Sequence, residues 1–260
     1  MDARSIAADF AATIGADPSV RSILLVGSAA RGLTDASSDV DLLVIAEPDL
    51  VPAGPPGAVR RFRLPRGHGA FEKWSSAGRF VDVEIVSPTA VEQLVARLAD
   101  GSASEADLLL AAAIHDAAHL AGEPAPALAY PAPLATAVAE RHLAGLVPSS
   151  AIFAASYERG DVLAYASRQA DLTIRVIGLL GAVNRQFIPT AAPKWLPSWI
   201  DRCALRPDET TAALERAITN PSAGAAARVD ELVAAVLDLV DAHVSDVSTA
   251  AARYALTLRP

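Results

Sequence analysis

The order of apolar and polar residues along the chain predicts a helix and two strands at the start. Ile6, Phe10 and Ile14 recur at helical spacing and predict a short helix. Compact β-prone runs at residues 23–26 and 40–45 predict two strands. A polar loop that contains glycine joins these strands.

A third strand is predicted over residues 80–86. Asp82 and Glu84 alternate there with Val81, Val83 and Ile85, which is the period of a strand with one buried and one polar face. The preceding interval, residues 51–69, is crowded with Pro, Gly and Arg. We therefore expect no regular element in that interval.

After Pro88 the pattern becomes helical, because Ala and Leu dominate and apolar residues repeat every three or four positions. Long helices are predicted over residues 161–187 and around an apolar stripe at residues 229–240. The expected fold class is α+β, a small mixed β-sheet with flanking helices followed by an α-helical bundle. We expect one domain over residues 1–95 and a helical domain over residues 96–260.

Composition and charge limit the classes of protein and of partner that fit this chain. The 260 residues include 22 Lys and Arg against 30 Asp and Glu, a formal charge of −8 that disfavours a nucleic-acid partner. One cysteine, Cys203, allows neither an internal disulfide nor a thiolate metal cage. The first residues lack the basic start of a signal peptide, and the apolar runs are too short to span a bilayer. We expect a cytoplasmic protein that does not bind membranes, and leave its oligomeric state open.

The candidate chemistry lies between the first two strands and on the third. Asp39 and Asp41 would project from one strand face about 6 to 7 Å apart along the chain. Asp82 adds a third carboxylate if its strand lies beside theirs. Such a set suits two divalent ions about 3.5 to 4 Å apart, which together activate an attacking oxygen and stabilise a leaving phosphate oxygen. Gly27 permits a tight turn, and Ser28 offers a hydroxyl and backbone N–H groups to an anion.

These residues resemble a known signature. Gly27-Ser28 followed by Ser38-Asp39-Val40-Asp41 is similar to the G-S-x(n)-D-x-D motif of the DNA-polymerase-beta-type nucleotidyltransferase superfamily. The segment from Arg79 to Val86 resembles the strand that carries the third metal ligand of that superfamily. The resemblance covers about residues 20–88. The chain looks most like small bacterial antibiotic nucleotidyltransferases of the aminoglycoside or lincosamide type, in which a C-terminal helical domain shapes the acceptor site.

The resemblance implies a catalytic domain over residues 1–95 and an enzyme that moves a nucleoside monophosphate from an NTP, with ATP as the expected donor, to a hydroxyl of a small acceptor. Its cofactor would be two Mg²⁺ ions. The acidic balance suits a cationic, hydroxylated acceptor such as an aminoglycoside. The implied metal ligands are Asp39, Asp41 and Asp82, the nucleotide contacts are Gly27, Ser28, Arg31 and Ser38, and the general base is Glu84, with Glu158 of the helical domain as the alternative.

Other functions stay open at this point. The acceptor of the transferase would be a protein or a tRNA in a toxin or antitoxin member, although the chain has no basic tail that favours tRNA. An inactive nucleotide-binding relative is a third alternative, against which the intact acid triad counts. Arg31 is equally suited to a triphosphate or to pairing with Asp35. His115 and His119 imitate a zinc-protease helix motif, but Asp116 stands where that motif has Glu.

Overall fold

The computed structural model describes residues 2–35, 38–47, 49–66, 69–191 and 193–258. The chain divides into two compact units. The first comprises Met1–Ala96 with Leu110–Leu128, and the second Arg97–Leu109 with Ala129–Pro260. The predicted α+β class is confirmed. Within the described ranges, no helix is both long enough and apolar enough to cross a membrane.

A mixed sheet forms the centre of the first unit. In the described residues it has six strands in the order β3-β4-β5-β2-β1-β6. Strands β2 and β5 are parallel, whereas β1 pairs antiparallel with β2 and β6, and β4 pairs antiparallel with β3 and β5. The strands are β1 (Val20–Val26), β2 (Val40–Ala46), β3 (Val59–Arg66), β4 (Gly69–Ser76), β5 (Arg79–Val86) and β6 (Ala118–Gly122).

The three predicted strands are confirmed as β1, β2 and β5, but the expectation of no element over residues 51–69 is wrong. Strand β3 occupies the end of that interval and forms an edge of the sheet. Its Phe62 and Leu64 are exposed, so the strand lacks the buried stripe by which a strand is recognised. Pro65 fits there because an edge strand leaves some N–H groups outside the ladder.

Strand β6 corrects the purely helical prediction for the region after Pro88. The alanine-rich helix ends at His115. Strand β6 then pairs with β1 at Leu24 and Leu25. His119 therefore lies on a strand, where its ring nitrogen contacts the Gly122 carbonyl oxygen at 3.1 Å. Pairing with a buried strand outweighs the helix propensity of alanine at this site.

The helices account for most of the remaining chain. The predicted N-terminal helix and both predicted long helices are confirmed as α1, α7 and α10. In chain order the helices are α1 (Ala3–Ile14), α2 (Gly27–Ala30), α3 (Pro88–Asp100), α4 (Glu105–His115), α5 (Ala132–Leu143), α6 (Ser149–Ala155), α7 (Val162–Asn184), α8 (Leu196–Arg202), α9 (Thr210–Thr219), α10 (Ala223–His243) and α11 (Ala250–Thr257).

Helix α1 covers one face of the sheet in the first unit. Ile6, Phe10 and Ile14 are buried and belong to one hydrophobic cluster with alternate residues of β1, β2, β4 and β5. Phe10 meets Trp74 of β4 edge to face, with ring centroids 5.8 Å apart. The alternation of each strand then sends its other side chains to the opposite face. The predicted acids project from that opposite face.

Helices α7 and α10 organise the second unit. Helix α7 packs against α5, α9 and α10, and α10 also packs against α6. Asp230 of α10 accepts hydrogen bonds from the backbone N–H groups of Ser149 and Ser150, at 2.6 and 3.2 Å. This carboxylate caps α6, whose own N-cap residue, Pro148, makes no side-chain capping bond.

A partly buried polar cluster joins α4, α5 and the segment after α7. Glu105 accepts hydrogen bonds from Arg141 at 2.7 Å and from the Thr190 hydroxyl. Burial raises the pKa of the Glu105 carboxyl, but these hydrogen bonds and the neighbouring cations outweigh burial, so the pKa lies below its ordinary value. Burial lowers the pKa of His142 beside it. A charged, half-buried Glu105 and a neutral, buried His142 are therefore neighbours at neutral pH.

Replacement of Gly178 by Ala is expected to destabilise the protein by about 1 to 3 kcal/mol through overpacking. A Cβ at Gly178 of α7 would lie 2.2 Å from the buried ring of His142 on α5. Thermal unfolding measures the change. Gly224→Ala is the matched control, because a Cβ at that helical glycine meets nothing within 4 Å and should stabilise by about 0.5 to 1 kcal/mol. Equal effects of the two substitutions would contradict the packing argument.

Candidate active site

Three charged side chains form a row across neighbouring strands of the first unit. Strand register places Lys73 of β4 beside Asp82 of β5, and Asp82 beside Asp41 of β2. Directly paired residues of adjacent strands project from the same face of a sheet. Asp39 precedes Asp41 by two positions and so joins the same face. The structure therefore places the three predicted carboxylates on one face of the sheet and adds a lysine that sequence analysis missed.

Lys73 is bound to two of the carboxylates. Its Nζ lies 2.8 Å from Oδ1 of Asp82 and 3.3 Å from Oδ2 of Asp39. Burial lowers the pKa of the ammonium, but the hydrogen bonds and charges of Asp82 and Asp39 outweigh burial and raise the pKa above its ordinary value. Lys73 is therefore a cation at neutral pH. It neutralises part of the negative charge that the three carboxylates concentrate on this face.

Gly27 leaves space for the carboxylate of Asp41 beside the turn after β1. The residue begins the short helix α2 with a φ of +65°, a left-handed conformation that favours glycine. A Cβ at this position would lie 2.2 Å from Oδ2 of Asp41. Both the backbone conformation and the close approach of the carboxylate thus require the absence of a side chain. This is the physical reason for glycine in the predicted Gly27-Ser28 motif.

Arg79 holds the start of the Asp39 segment against β5. Its guanidinium donates hydrogen bonds to the carbonyl oxygens of Asp35, at 3.2 Å, and Ser38, at 2.9 Å. The residue forms part of the quoted strand motif, but sequence analysis gave it no role. Its contacts attach the segment that leads into Asp39 to the strand that carries Asp82. Arg79 therefore helps to set the distance between two predicted metal ligands.

The other predicted site residues surround this row. Glu84 is half-buried on the same face as Asp82, two positions further along β5. Ser28 is half-buried in α2, and Arg31 is the C-cap residue of that helix. The Ser38 hydroxyl donates to Oδ1 of Asp35 at 3.0 Å and accepts from its backbone N–H.

Glu158, the alternative base, is exposed on a 3₁₀ turn of the second unit, Tyr157–Arg159. Glu158 thus belongs to the second unit, whereas the other predicted acids belong to the first.

A cluster around Glu72, on the opposite face of the sheet, holds the strand that carries Lys73. Sequence analysis missed this cluster as well. Glu72, the neighbour of Lys73 on β4, is fully buried on the α1 side. The carboxylate contacts Arg63 at 2.5 Å and Arg60 at 3.2 Å, and accepts from the Trp74 indole N–H at 2.9 Å. A buried charge paired on several sides resists displacement, because removing any partner leaves it uncompensated. The cluster ties β3 to β4 and so holds the strand that presents Lys73.

The donor set fits a divalent metal ion in its chemistry. Asp39, Asp41 and Asp82 are hard oxygen ligands of the kind that Mg²⁺ prefers, and they share one sheet face. Among the residues that the structure describes, however, no three acidic, histidine or cysteine side chains converge as metal ligands. The ammonium of Lys73 lies instead between two of the three carboxylates. The residues therefore fit a metal ion in the type of their ligand atoms, and the Lys73 ammonium contacts two of the same carboxylates.

An open cleft of about 370 Å³ lies at the β4–β5 turn of the same unit. Its lining combines two guanidinium groups with an aromatic ring, and that ring, Phe80, is 48% exposed. The Nζ of Lys73 lies 4.9 Å from the centre of the Phe80 ring, so a residue that lines the cleft also contacts the charged row. The lining residues are Gly57, Arg61, Ser75, Ser76, Ala77, Gly78, Arg79 and Phe80.

Comparison with known proteins supports the superfamily suggested by the motif. Residues 10–100 match the family model of the nucleotidyltransferase domain, which supports nucleotidyl transfer as the general activity of this part of the chain. The solved structure of a nucleotidyltransferase-like protein from Exiguobacterium sibiricum 255-15 is similar, with a TM-score of 0.38 and 12% identity, over 93% of this chain and 75% of its own. No curated protein matches the chain.

Replacement of Gly27 by Ala is expected to displace Asp41 and to weaken divalent-cation binding. The added Cβ both collides with the carboxylate and strains the backbone; the strain alone is worth about 1 to 2 kcal/mol. Gly32→Ala is the matched control, since Gly32 has a φ of +72° and open space around its Cβ position. Titration of each variant with Mn²⁺ should show a defect in Gly27→Ala alone. Equal Mn²⁺ affinity in the two variants would contradict the contact with Asp41.

Proposed function

We propose that this chain is a metal-dependent nucleotidyltransferase that moves a nucleoside monophosphate, with ATP as the expected donor, to a hydroxyl of a small acceptor. The observation that carries the proposal is the strand register, which sets Asp41 beside Asp82 on the face that also carries Asp39. A nucleotidyltransferase domain match over the same segment supports it. So does the close packing of the Gly27 turn on Asp41.

In the proposed reaction, the acceptor oxygen forms a bond to the α-phosphorus of the NTP. The bond between that phosphorus and the oxygen bridging to the β-phosphate breaks, and pyrophosphate leaves with its electron pair. Asp39, Asp41 and Asp82 would hold two Mg²⁺ ions, which supply Lewis acidity at the attacking and leaving oxygens when bound. Ser28 and the N–H groups at the start of α2 would contact phosphate oxygens. Arg31 and Ser38 would support this loop or its nucleotide.

Glu84 is the proposed general base. It lies on the same face as Asp82, two positions further along β5, so it is near the proposed metal ligands and separate from them. A carboxylate at such a position can accept the acceptor proton as the new oxygen–phosphorus bond forms. Removing that proton makes the hydroxyl oxygen a better nucleophile. Glu158 of the helical unit is the alternative base.

The proposed acceptor is a small, hydroxylated and cationic molecule such as an aminoglycoside. The formal charge of −8 favours the approach of a cation in general. We further propose that residues 1–95 carry out the chemistry and that residues 96–260 recognise the acceptor. This arrangement would relate the chain to bacterial antibiotic nucleotidyltransferases acting in the cytoplasm.

Asp39→Asn and Asp41→Asn are each expected to reduce turnover more than about tenfold, a barrier increase above about 1.4 kcal/mol. Each substitution removes a negative charge from the proposed metal site and changes little volume. The assay follows transfer from labelled NTPs in the presence of Mg²⁺ to a panel of hydroxylated antibiotics, with mass spectrometry to detect the added nucleoside monophosphate. The test thus identifies donor and acceptor together.

Asp9→Asn is the matched control for this assay, because Asp9 is an exposed residue of α1 on the other side of the sheet. It should retain wild-type turnover. An Asp41→Asn variant that keeps more than about a tenth of the wild-type rate would exclude the proposed two-metal role. Pyrophosphate release without any modified antibiotic would direct the search for the acceptor to proteins and tRNA.

Glu84→Gln and Asp82→Asn are expected to differ in kind. Loss of the proposed base should lower kcat about 10²- to 10⁴-fold while Mn²⁺ and NTP binding persist. Loss of a proposed metal ligand should weaken Mn²⁺ binding and turnover together. Calorimetric titration and steady-state kinetics on the same preparations measure both effects. Wild-type turnover in Glu84→Gln would transfer the base assignment to Glu158, and loss of Mn²⁺ binding would make Glu84 a metal ligand.

A further inference from the structure

The position of Lys73 poses a chemical question about the acid cluster. Its ammonium contacts both Asp39, which precedes β2, and Asp82 of β5, and both are proposed metal ligands. A metal ion bound by the same carboxylates would need their oxygens at the coordination distances of a divalent cation. The ammonium already uses Oδ2 of Asp39 and Oδ1 of Asp82. The two cations therefore require the same two carboxylates.

We propose that the Lys73 ammonium competes with a divalent cation for Asp39 and Asp82, so that Lys73 sets the cation affinity of the nucleotide-free site. This inference rests on the proposed metal site. It follows from charge as well as from space, because a cation held beside the carboxylates repels an incoming cation. The contacts are only partly exposed, with 22% of the Lys73 side chain and 20% of the Asp82 side chain accessible, so solvent screens this repulsion incompletely.

The surroundings of Lys73 give its ammonium a contact other than the carboxylates. Its Nζ already lies 4.9 Å from the centre of the Phe80 ring, within the range of a cation–π interaction. Phe80 is on β5, two positions from Asp82, and its ring is exposed at the cleft. The flexible stem of lysine allows its charge to leave the carboxylates without movement of β4. Departure of the ammonium from the carboxylates thus needs only rotation of the lysine side chain.

Lys73→Met is the central test, since methionine keeps an unbranched apolar stem and removes the charge. Titration of the full chain with Mn²⁺ in the absence of nucleotide, followed by electron paramagnetic resonance of free Mn²⁺, measures the affinity directly. We expect Lys73→Met to bind Mn²⁺ about tenfold more tightly than the wild type. Lys73→Arg keeps the positive charge and should bind as weakly as the wild type. Mn²⁺ should also raise the melting temperature of Lys73→Met more than that of the wild type.

Arg66→Met is the matched charge control. The Arg66 guanidinium stacks on Phe71, 5.3 Å from its ring centre, on the same strand pair as Lys73 but in contact with another residue. This variant should keep wild-type Mn²⁺ affinity. Equal tightening in Arg66→Met and Lys73→Met would assign the effect to net charge and overturn the competition. Unchanged or weaker affinity in Lys73→Met would also overturn it.

Unchanged affinity in Lys73→Met overturns the competition and leaves the proposed metal site standing, whereas two further outcomes overturn both. If neither the wild type nor any variant binds Mn²⁺, even with ATP, the proposed metal site fails and the competition fails with it. If Asp41→Asn binds Mn²⁺ like the wild type, the measured ion lies elsewhere and both are overturned. Circular dichroism checks the fold of each variant, and Lys73→Gln replaces Lys73→Met should the latter not fold. Tight Mn²⁺ binding by either uncharged variant supports the competition.

Discussion

The parallel pairing of β2 with β5 imposes the main electrostatic constraint on the first unit. It fixes Asp41 directly beside Asp82, and Asp39 follows on the same face. Like charges held in register on adjacent strands destabilise a sheet unless a cation or solvent compensates them. The structure supplies that cation as Lys73 from β4, which is bound to Asp82 and Asp39. The stability of this sheet and the chemistry of its exposed face therefore depend on the same few charges.

Several contacts outside the charged row keep this arrangement in place. The buried carboxylate of Glu72 holds β4 to β3 through Arg60 and Arg63, and the indole of Trp74 joins the same cluster. These groups lie on the α1 side, where Trp74 also packs on Phe10. Consecutive residues of β4 thus point to opposite faces of the sheet. Glu72 lies on the packed side, and Lys73 lies on the side of the acids.

Local patterns were sufficient to predict much of this design. Period-two alternation identified the acidic face of β5, and the spacing of Asp39 and Asp41 identified the same face of β2, because both depend only on the geometry of a single strand. Lys73 depends on which strand lies beside β5, and the buried charge of Glu72 interrupted the apolar pattern by which β4 would be recognised. The sequence signal that could have placed β4 beside β5 is the turn residue Gly78. In the structure Ala77 and Gly78 both have positive φ and form the tight turn of the β4–β5 hairpin.

The net charge of the chain does not determine the local charge of its candidate site. An excess of acids over the whole sequence describes long-range attraction and says little about one surface. At the sheet, Lys73, Arg79, Arg60 and Arg63 gather within three neighbouring strands, and each contacts a carboxylate or a carbonyl oxygen. Cations there serve to fix acids in position. Local charge, and not the net charge of the chain, would therefore decide which ions approach the face that carries Lys73, Asp82 and Asp39.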